Sequence, residues 1–290
     1  LIKRRGFLVA GGLGVLAATG SGVGLVEAQV LPGKVPLDRA LGRCGDTPPM
    51  PAEHADVREE TFRSQARGRD VRMVVATPPG AAAWLPVVIA LHGWGGDARS
   101  VLGQALDRYL AQAAARGVPP FALVGIDGGS AYWHPRASGD DPQRMITDEV
   151  LPRLRRRGLR TERIGVLGWS MGGYGALLLG QALGPSRVGA IVASSPAVFS
   201  SYDDARATNA RAFDDAGDFT RHDVRKALGR LRSIPAWVDC GRSDPFTEAA
   251  KRIRAGLDAP AGGLFGGCHD GAYWRRRAPA QLAFLGRNLA

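Results

Sequence analysis

With 290 residues, 45% of them hydrophobic and 22% charged, the chain can bury one large core and is too apolar for a disordered tether. Its 40 glycines follow no fixed period, which excludes a collagen-like fibre. The formal charge of +11 rests on arginine, lysine standing only at Lys3, Lys34, Lys226 and Lys251; no zinc-finger, homeodomain or aromatic RNA-binding motif accompanies it, so nucleic acid is not expected.

Lys3-Arg4-Arg5-Gly6-Phe7-Leu8 puts paired arginines ahead of an apolar, glycine-rich stretch that runs to Val26. Small residues around Val26-Glu27-Ala28 fit cleavage after Ala28. Residues 1–28 therefore predict an export signal of twin-arginine type, and a protein of the cell envelope or the exterior. A retained membrane anchor is the other reading, and the many glycines weigh against it. The charge then reads either as a solvated arginine surface or as peripheral contact with an anionic envelope.

Residues 29–60, rich in Pro, Gly and charge, read as an extended lead-in to an α/β domain over 61–290. Val71–Thr77 is a β-rich run ended by Pro78-Pro79-Gly80, and Pro86–Leu91 a second run ending at His92-Gly93. Ser100–Arg116 carries apolar residues at helical spacing, with Ser100 as N-cap and Gly117 as stop. A strand follows at Phe121–Ile126, a helix at Met145–Arg157, a strand at Arg163–Leu167 and a small-residue helix at Gly172–Leu183. Further strands are expected at Val188–Ala193, Ile234–Val238 and Ala261–Phe265, and the last helix at Ala278–Leu289. Short apolar strands alternating with helices predict a mostly parallel sheet covered on both faces. Phe199–His222 breaks the rhythm and reads as a lid insertion or as a plain surface loop.

The chemistry gathers at the strand ends. Gly168-Trp169-Ser170-Met171-Gly172 is a Gly-x-Ser-x-Gly sequence directly between a strand and a helix, the context of a nucleophile elbow. Glycines on either side of Ser170 permit the sharp turn, and the helix N-terminus favours developing negative charge. A serine needs a base. Among His54, His92, His134, His222 and His269, only His269 follows both the serine and the last expected strand. Asp244, in the loop after Ile234–Val238, is the expected acid, with Asp239 its rival inside the strand. The oxyanion requires two backbone donors. Met171 N–H is one, and the loop Leu91-His92-Gly93-Trp94-Gly95-Gly96 offers Trp94 N–H, or else Gly93, as the second. Three cysteines, Cys44, Cys240 and Cys268, allow at most one intramolecular bridge, and none has CxxC spacing, so no metal or redox motif is expected.

These residues together resemble the esterase D-like ("Putative esterase") branch of the α/β hydrolases, with S-formylglutathione hydrolases, feruloyl and acetylxylan esterases and mycobacterial mycolyltransferases among its members. The matching pieces are Leu91-His92-Gly93, the segment Ile146–Pro152, Gly168–Ala176, Gly241–Asp244 and His269–Trp274, spread over 70–290. The resemblance implies an α/β-hydrolase fold, a mostly parallel central sheet with helices on both faces. It puts Ser170, Asp244 and His269 in the triad places and gives Tyr273-Trp274 as site-lining aromatics or, equally, as core. It also implies a Cys240–Cys268 bridge, since one cysteine precedes the acid loop and the other precedes His269. No metal or organic cofactor is implied. The implied activity is that of an exported serine esterase acting through an acyl-enzyme on a small-molecule, glycan or lipid ester. Acyl transfer to a sugar hydroxyl, as in the mycolyltransferases, uses the same groups and stays open, although that branch carries Glu in the acid place. A non-catalytic carbohydrate-binding protein on this scaffold is the third reading; it would lack a triad residue, and none is missing here.

Overall fold

Runs that are apolar along their whole length, such as Val87-Val88-Ile89-Ala90-Leu91, are stable as strands only where both faces are covered. The structure, a computed structural model, describes residues 34–290; the segment read as an export signal and residues 29–33 lie outside the described residues. In chain order it contains α1 (Lys34–Ala40), β1 (Asp56–Ser64), β2 (Arg69–Thr77), β3 (Pro86–Leu91), α2 (Leu106–Ala115), β4 (Ala122–Ile126), α3 (Leu151–Arg156), β5 (Arg160–Trp169) and α4 (Met171–Leu183). Then follow β6 (Val188–Ser194), α5 (Tyr202–Thr208), α6 (Ala216–Arg221), β7 (Ala236–Gly241), α7 (Thr247–Ala255), β8 (Ala261–Phe265) and α8 (Gly271–Leu289).

The strands form one sheet in the order β1-β2-β4-β3-β5-β6-β7-β8. β2 is antiparallel to both of its neighbours, and every other pair is parallel. The carboxyl ends of β3, β5, β6, β7 and β8 therefore share one edge, where ligands bind in sheets of this kind. Side chains alternate between two cores. Val87, Ile89, Leu91 and Val166 face α3 and α4 through Leu151, Leu154, Ala176 and Leu177. Val88, Ala90, Leu167 and Val192 face α2 and α8 through Leu106, Leu110, Leu282 and Leu285.

Four features differ from the sequence expectation. The lead-in over 29–60 is not wholly extended: α1 forms at its start, and β1 begins at Asp56. β1 escapes detection because it is an edge strand, exposed along most of its length and rich in charge. The helix expected over Ser100–Arg116 is broken: one turn spans Ser100–Gly103, Ala105 turns left-handed at φ 57°, and only then does α2 begin. The last helix starts at Gly271 rather than Ala278, because Asp270 caps it by accepting from Tyr273 N–H, and Pro279 is carried inside it. Among the described residues no helix is long and apolar enough to cross a membrane.

Candidate active site

The elbow is built from backbone constraints. Ser170, between β5 and α4, has φ 56° and ψ −122°, a strained conformation for a residue with a Cβ. Two bonds hold it there: Ser170 N–H donates to Ser194 O at 3.0 Å, and Ala197 N–H donates to Ser170 O at 3.0 Å. The flanking glycines answer to close approach. A Cβ on Gly168 would lie 2.0 Å from Gly172 O, and one on Gly172 would lie 1.8 Å from Leu91 O. The second contact clamps the end of β3, and the loop that follows it, against the start of α4.

At this edge the structure brings Ser170, His269 and Asp244 together. Ser170 Oγ lies 2.8 Å from His269 Nε2, and His269 Nδ1 lies 2.8 Å from Asp244 Oδ2. Asp244 is 2% exposed; its other carboxylate oxygen accepts from Phe246 N–H at 2.8 Å. With Asp244 an acceptor only, His269 carries its proton on Nδ1, and Nε2 is free to accept from the serine hydroxyl. The ring is braced between Phe246 and Trp274, each with its centroid 5.3 Å away. Ser243 N–H donates to Gly267 O at 3.0 Å, tying the acid loop to the histidine loop.

The other histidines lie outside this relay. His92 is buried; its Nε2 accepts from Gly128 N–H at 3.0 Å and its Nδ1 donates to Gly93 O at 2.7 Å. Burial holds its pKa below the ordinary 6.5, so the ring is neutral. Gly93 O also accepts from Gly96 N–H at 3.0 Å, closing a tight turn with Gly95 at φ 75°. Trp94 occupies the second position of that turn, and among the described residues its N–H has no hydrogen-bond partner. Met171 N–H precedes the first helical bond of α4, from Tyr174 N to Ser170 O. A Cβ on Gly93 would sit 3.5 Å from Ser170 Cβ, so the turn and the elbow adjoin. Trp133 buttresses the turn from behind, its Nε1 donating to His92 O at 3.2 Å. Gly175 serves that indole rather than the sheet: a Cβ there would meet Trp133 at 2.7 Å.

Two clefts open at Ser170 and His269, with Trp94 on the boundary of both. The first, about 570 Å³, is walled by Tyr132, Ala197, Val198, Phe199 and Phe246, and carries Asp204, Arg225, Glu248 and Arg252. The second, about 440 Å³, runs along Gly93–Gly96 to Gln104, Trp169 and Trp274. The segment Phe199–His222 thus supplies part of the first cleft through Phe199, Asp204 and Asn209, and is structured by α5 and α6. No local pattern marked Tyr132 or Phe246 as cleft residues, because long-range packing places them.

Asp239, the rival acid, points away from the serine. It accepts from Ser194 Oγ, Trp237 Nε1, Tyr273 Oη and Gln281 Nε2, joining β6, β7 and α8. The expected aromatic pair divides: Tyr273 is fully buried core, while Trp274 lies against His269. Glu149, in the segment Ile146–Pro152, holds the β1–β2 turn by accepting from Gln65 and Ala66 N–H at 2.8 and 2.9 Å.

The expected Cys240–Cys268 bridge is wrong. Cys268 is bonded to Cys44, and Cys240 is free and buried. Strand alternation is the reason. Asp239 takes the α8 side of β7, so Cys240 points to the other side, towards Ser195 and Thr247, while Cys268 meets the segment after α1. Burial pushes the Cys240 thiol well up, so it stays protonated.

One cluster outside the clefts, His134, Asp218 and His222, brings metal-ligand atom types within 4.8 Å of one another. Both nitrogens of His134 face backbone carbonyls, Pro135 O and Ala212 O at 3.0 Å, and its ring stacks on His222 with centroids 4.3 Å apart. The stacked rings do not direct their lone pairs at one point, and Asp218 Oδ1 lies 2.9 Å from His222 Nδ1.

Comparison with known proteins agrees with this architecture. The profile of the family described as "Putative esterase" matches residues 64–285. No curated protein matches the sequence. Among solved structures, a ferulic acid esterase superposes with a TM-score of 0.69 at 19% identity, covering 81% of this chain and 99% of its own. An S-formylglutathione hydrolase from Agrobacterium tumefaciens gives 0.67 at 16%, covering 85% and 99%. A fluorophosphonate-binding serine hydrolase from Staphylococcus aureus gives 0.64 at 17%, covering 80% and 99%. These likenesses show the α/β-hydrolase fold.

Proposed function

Since this chain belongs to the Putative esterase family, we propose that it is an exported serine esterase that cleaves carboxylic esters through an acyl-enzyme. The observation that carries the reading is the continuous relay from Ser170 Oγ through His269 to buried Asp244, with both links 2.8 Å long. In the proposed reaction His269 Nε2 takes the Ser170 proton as Oγ attacks the ester carbonyl. Asp244 keeps the ring oriented and stabilises the imidazolium. The N–H groups of Met171 and Trp94 receive the oxyanion; two such donors are worth more in the tetrahedral state than in the ground state. His269 then returns the proton to the departing alcohol, and water releases the acyl group from Ser170 by the reverse sequence of proton transfers. The first cleft, with an apolar wall and a charged rim, takes the acyl limb.

Export is supported by the paired arginines and apolar stretch of residues 3–26, and by a disulfide, which persists in oxidising compartments. The test is labelling with a fluorophosphonate probe followed by hydrolysis of a nitrophenyl ester series of increasing chain length. Wild type should label and turn over, and Ser170→Ala should do neither. Labelling that survives in Ser170→Ala would refute the assignment.

A further inference from the structure

An acyl limb that fills the first cleft displaces solvent from its wall, and each polar atom so stripped must find a partner in the ligand or go without. Resting on the esterase reading above, we propose that the Tyr132 hydroxyl selects an acyl limb bearing an oxygen along its chain, as a hydroxyl, ether or keto group, over a plain alkyl limb.

The buried tyrosines make the case by contrast. Tyr174 Oη donates to His222 O at 2.5 Å and Tyr273 Oη to Asp239 Oδ1 at 3.0 Å, so both hydroxyls are used inside the protein. Tyr109 Oη is unpaired but sealed from solvent. Tyr132 is only 2% exposed, and its hydroxyl has no hydrogen-bond partner among the described residues. Unlike Tyr109 Oη, that oxygen keeps accessible surface, and Tyr132 lines the cleft beside Ser170 and His269. Burial pushes the phenol up, so at neutral pH it is an uncharged O–H able to donate.

The place of that hydroxyl is fixed. Tyr132 and Trp133 are consecutive non-glycine residues at φ 54° and 57°, a left-handed pair that only its surroundings can hold. Asn209 Nδ2 donates to Ser130 O and Gln143 Nε2 to Trp133 O, each at 3.0 Å, pinning the pair from both sides. The Tyr132 ring packs against Tyr174, Phe199 and Phe213, with centroids 5.4, 5.6 and 5.7 Å away. A ring so enclosed cannot swing its hydroxyl out to follow the solvent when the cleft fills. An oxygen at the matching place in the acyl limb accepts from the O–H, and a methylene there leaves it bare. A site built to bond a polar group rejects the analogue that lacks one. Ala197, Val198, Phe199 and Phe246 supply apolar contact for the rest of the limb.

The test is an oxygen scan of the acyl chain. Nitrophenyl octanoate is compared with analogues in which each methylene from the third to the seventh chain position is replaced in turn by oxygen. Each kcat/KM is divided by the rate of hydroxide-catalysed hydrolysis of the same ester, which removes the inductive effect of the oxygen. Wild type should favour one position, or two adjacent ones, over octanoate by about tenfold or more. Tyr132→Phe, which keeps the ring and removes the hydroxyl, should lower that ratio about tenfold and move the other positions little. Both esters are measured on one preparation, so any loss of folded enzyme cancels from the ratio. The absence of a favoured position in wild type overturns the proposal, as does a favoured position whose ratio Tyr132→Phe leaves unchanged. If thermal melts show the variant unfolded, the wild-type scan decides alone. Absence of labelling and of any ester turnover defeats the esterase reading and this inference with it; turnover without oxygen preference defeats this inference only.

Discussion

Asp239 and Asp244 stand five positions apart, one inside β7 and one just beyond its end, yet their surroundings differ sharply. Asp244 gives one oxygen to a backbone N–H and the other to His269, so Asp244→Asn should leave the fold standing and lower kcat about 10²- to 10⁴-fold by favouring the wrong imidazole tautomer. Melting temperature and kcat measured on the same preparation separate the two effects. Asp239 is fully buried and receives four donors; burial pushes its carboxyl up while those donors favour the ionised form. In Asp239→Asn an amide N–H₂ would face groups that themselves donate. Each buried donor left unpaired costs roughly 1–3 kcal/mol, so Tm should fall by about 5–10 °C. An unchanged Tm would mean that the hub contributes nothing to stability.

At the scale of elements, the His269 loop is anchored from outside the sheet. The Cys44–Cys268 bond joins residues 224 apart; Arg276 donates to Cys44 O at 2.6 Å, and Arg39 pairs with Asp270 at 3.1 Å. Removing a native bridge typically costs about 2–5 kcal/mol. Cys44→Ser should therefore melt earlier, while Cys240→Ser, which breaks no bridge, should leave the reductant sensitivity of Tm intact. Differential scanning with and without dithiothreitol checks both. α4 carries a second device, since Gly175 leaves room for the Trp133 indole that supports the His92–Gly96 turn. Gly175→Ala forces that indole to move and should cost about 1–3 kcal/mol. Its kcat should fall with little change in KM for a small ester, because the turn carries the proposed oxyanion donor Trp94 N–H.

For the whole molecule, acid sensitivity follows from two buried rings, His92 and His134, both held below the ordinary histidine pKa by burial. His92 Nε2 already accepts from Gly128 N–H. The folded state thus binds fewer protons at these rings than the unfolded chain. Stability is full above 6.5 and falls as the pH drops below it, by up to about 1.4 kcal/mol per pH unit for each ring until that ring titrates in the folded state. Tm measured from pH 8 to pH 5 should decline, and a flat profile would show that these two rings titrate alike in both states. Much of this protein was legible before folding was considered. Apolar runs punctuated by Gly and Pro named most strands, since a strand buried on both faces needs such a run. The Gly-x-Ser-x-Gly elbow, the aspartate beyond β7 and the histidine beyond β8 marked the candidate site, and the structure brings these three residues together, since steric and chain-order rules act locally. What lay beyond reach depended on direction and distance. β1 owes its place to pairing rather than to an apolar pattern. The partner of Cys268 depended on which face of β7 Cys240 occupies, and the identity of the buried acid hub on which side chains converge from β6, β7 and α8. The two clefts come from segments widely separated in sequence, and only the folded sheet gathers Gly93–Gly96, Trp169 and Trp274 around Ser170.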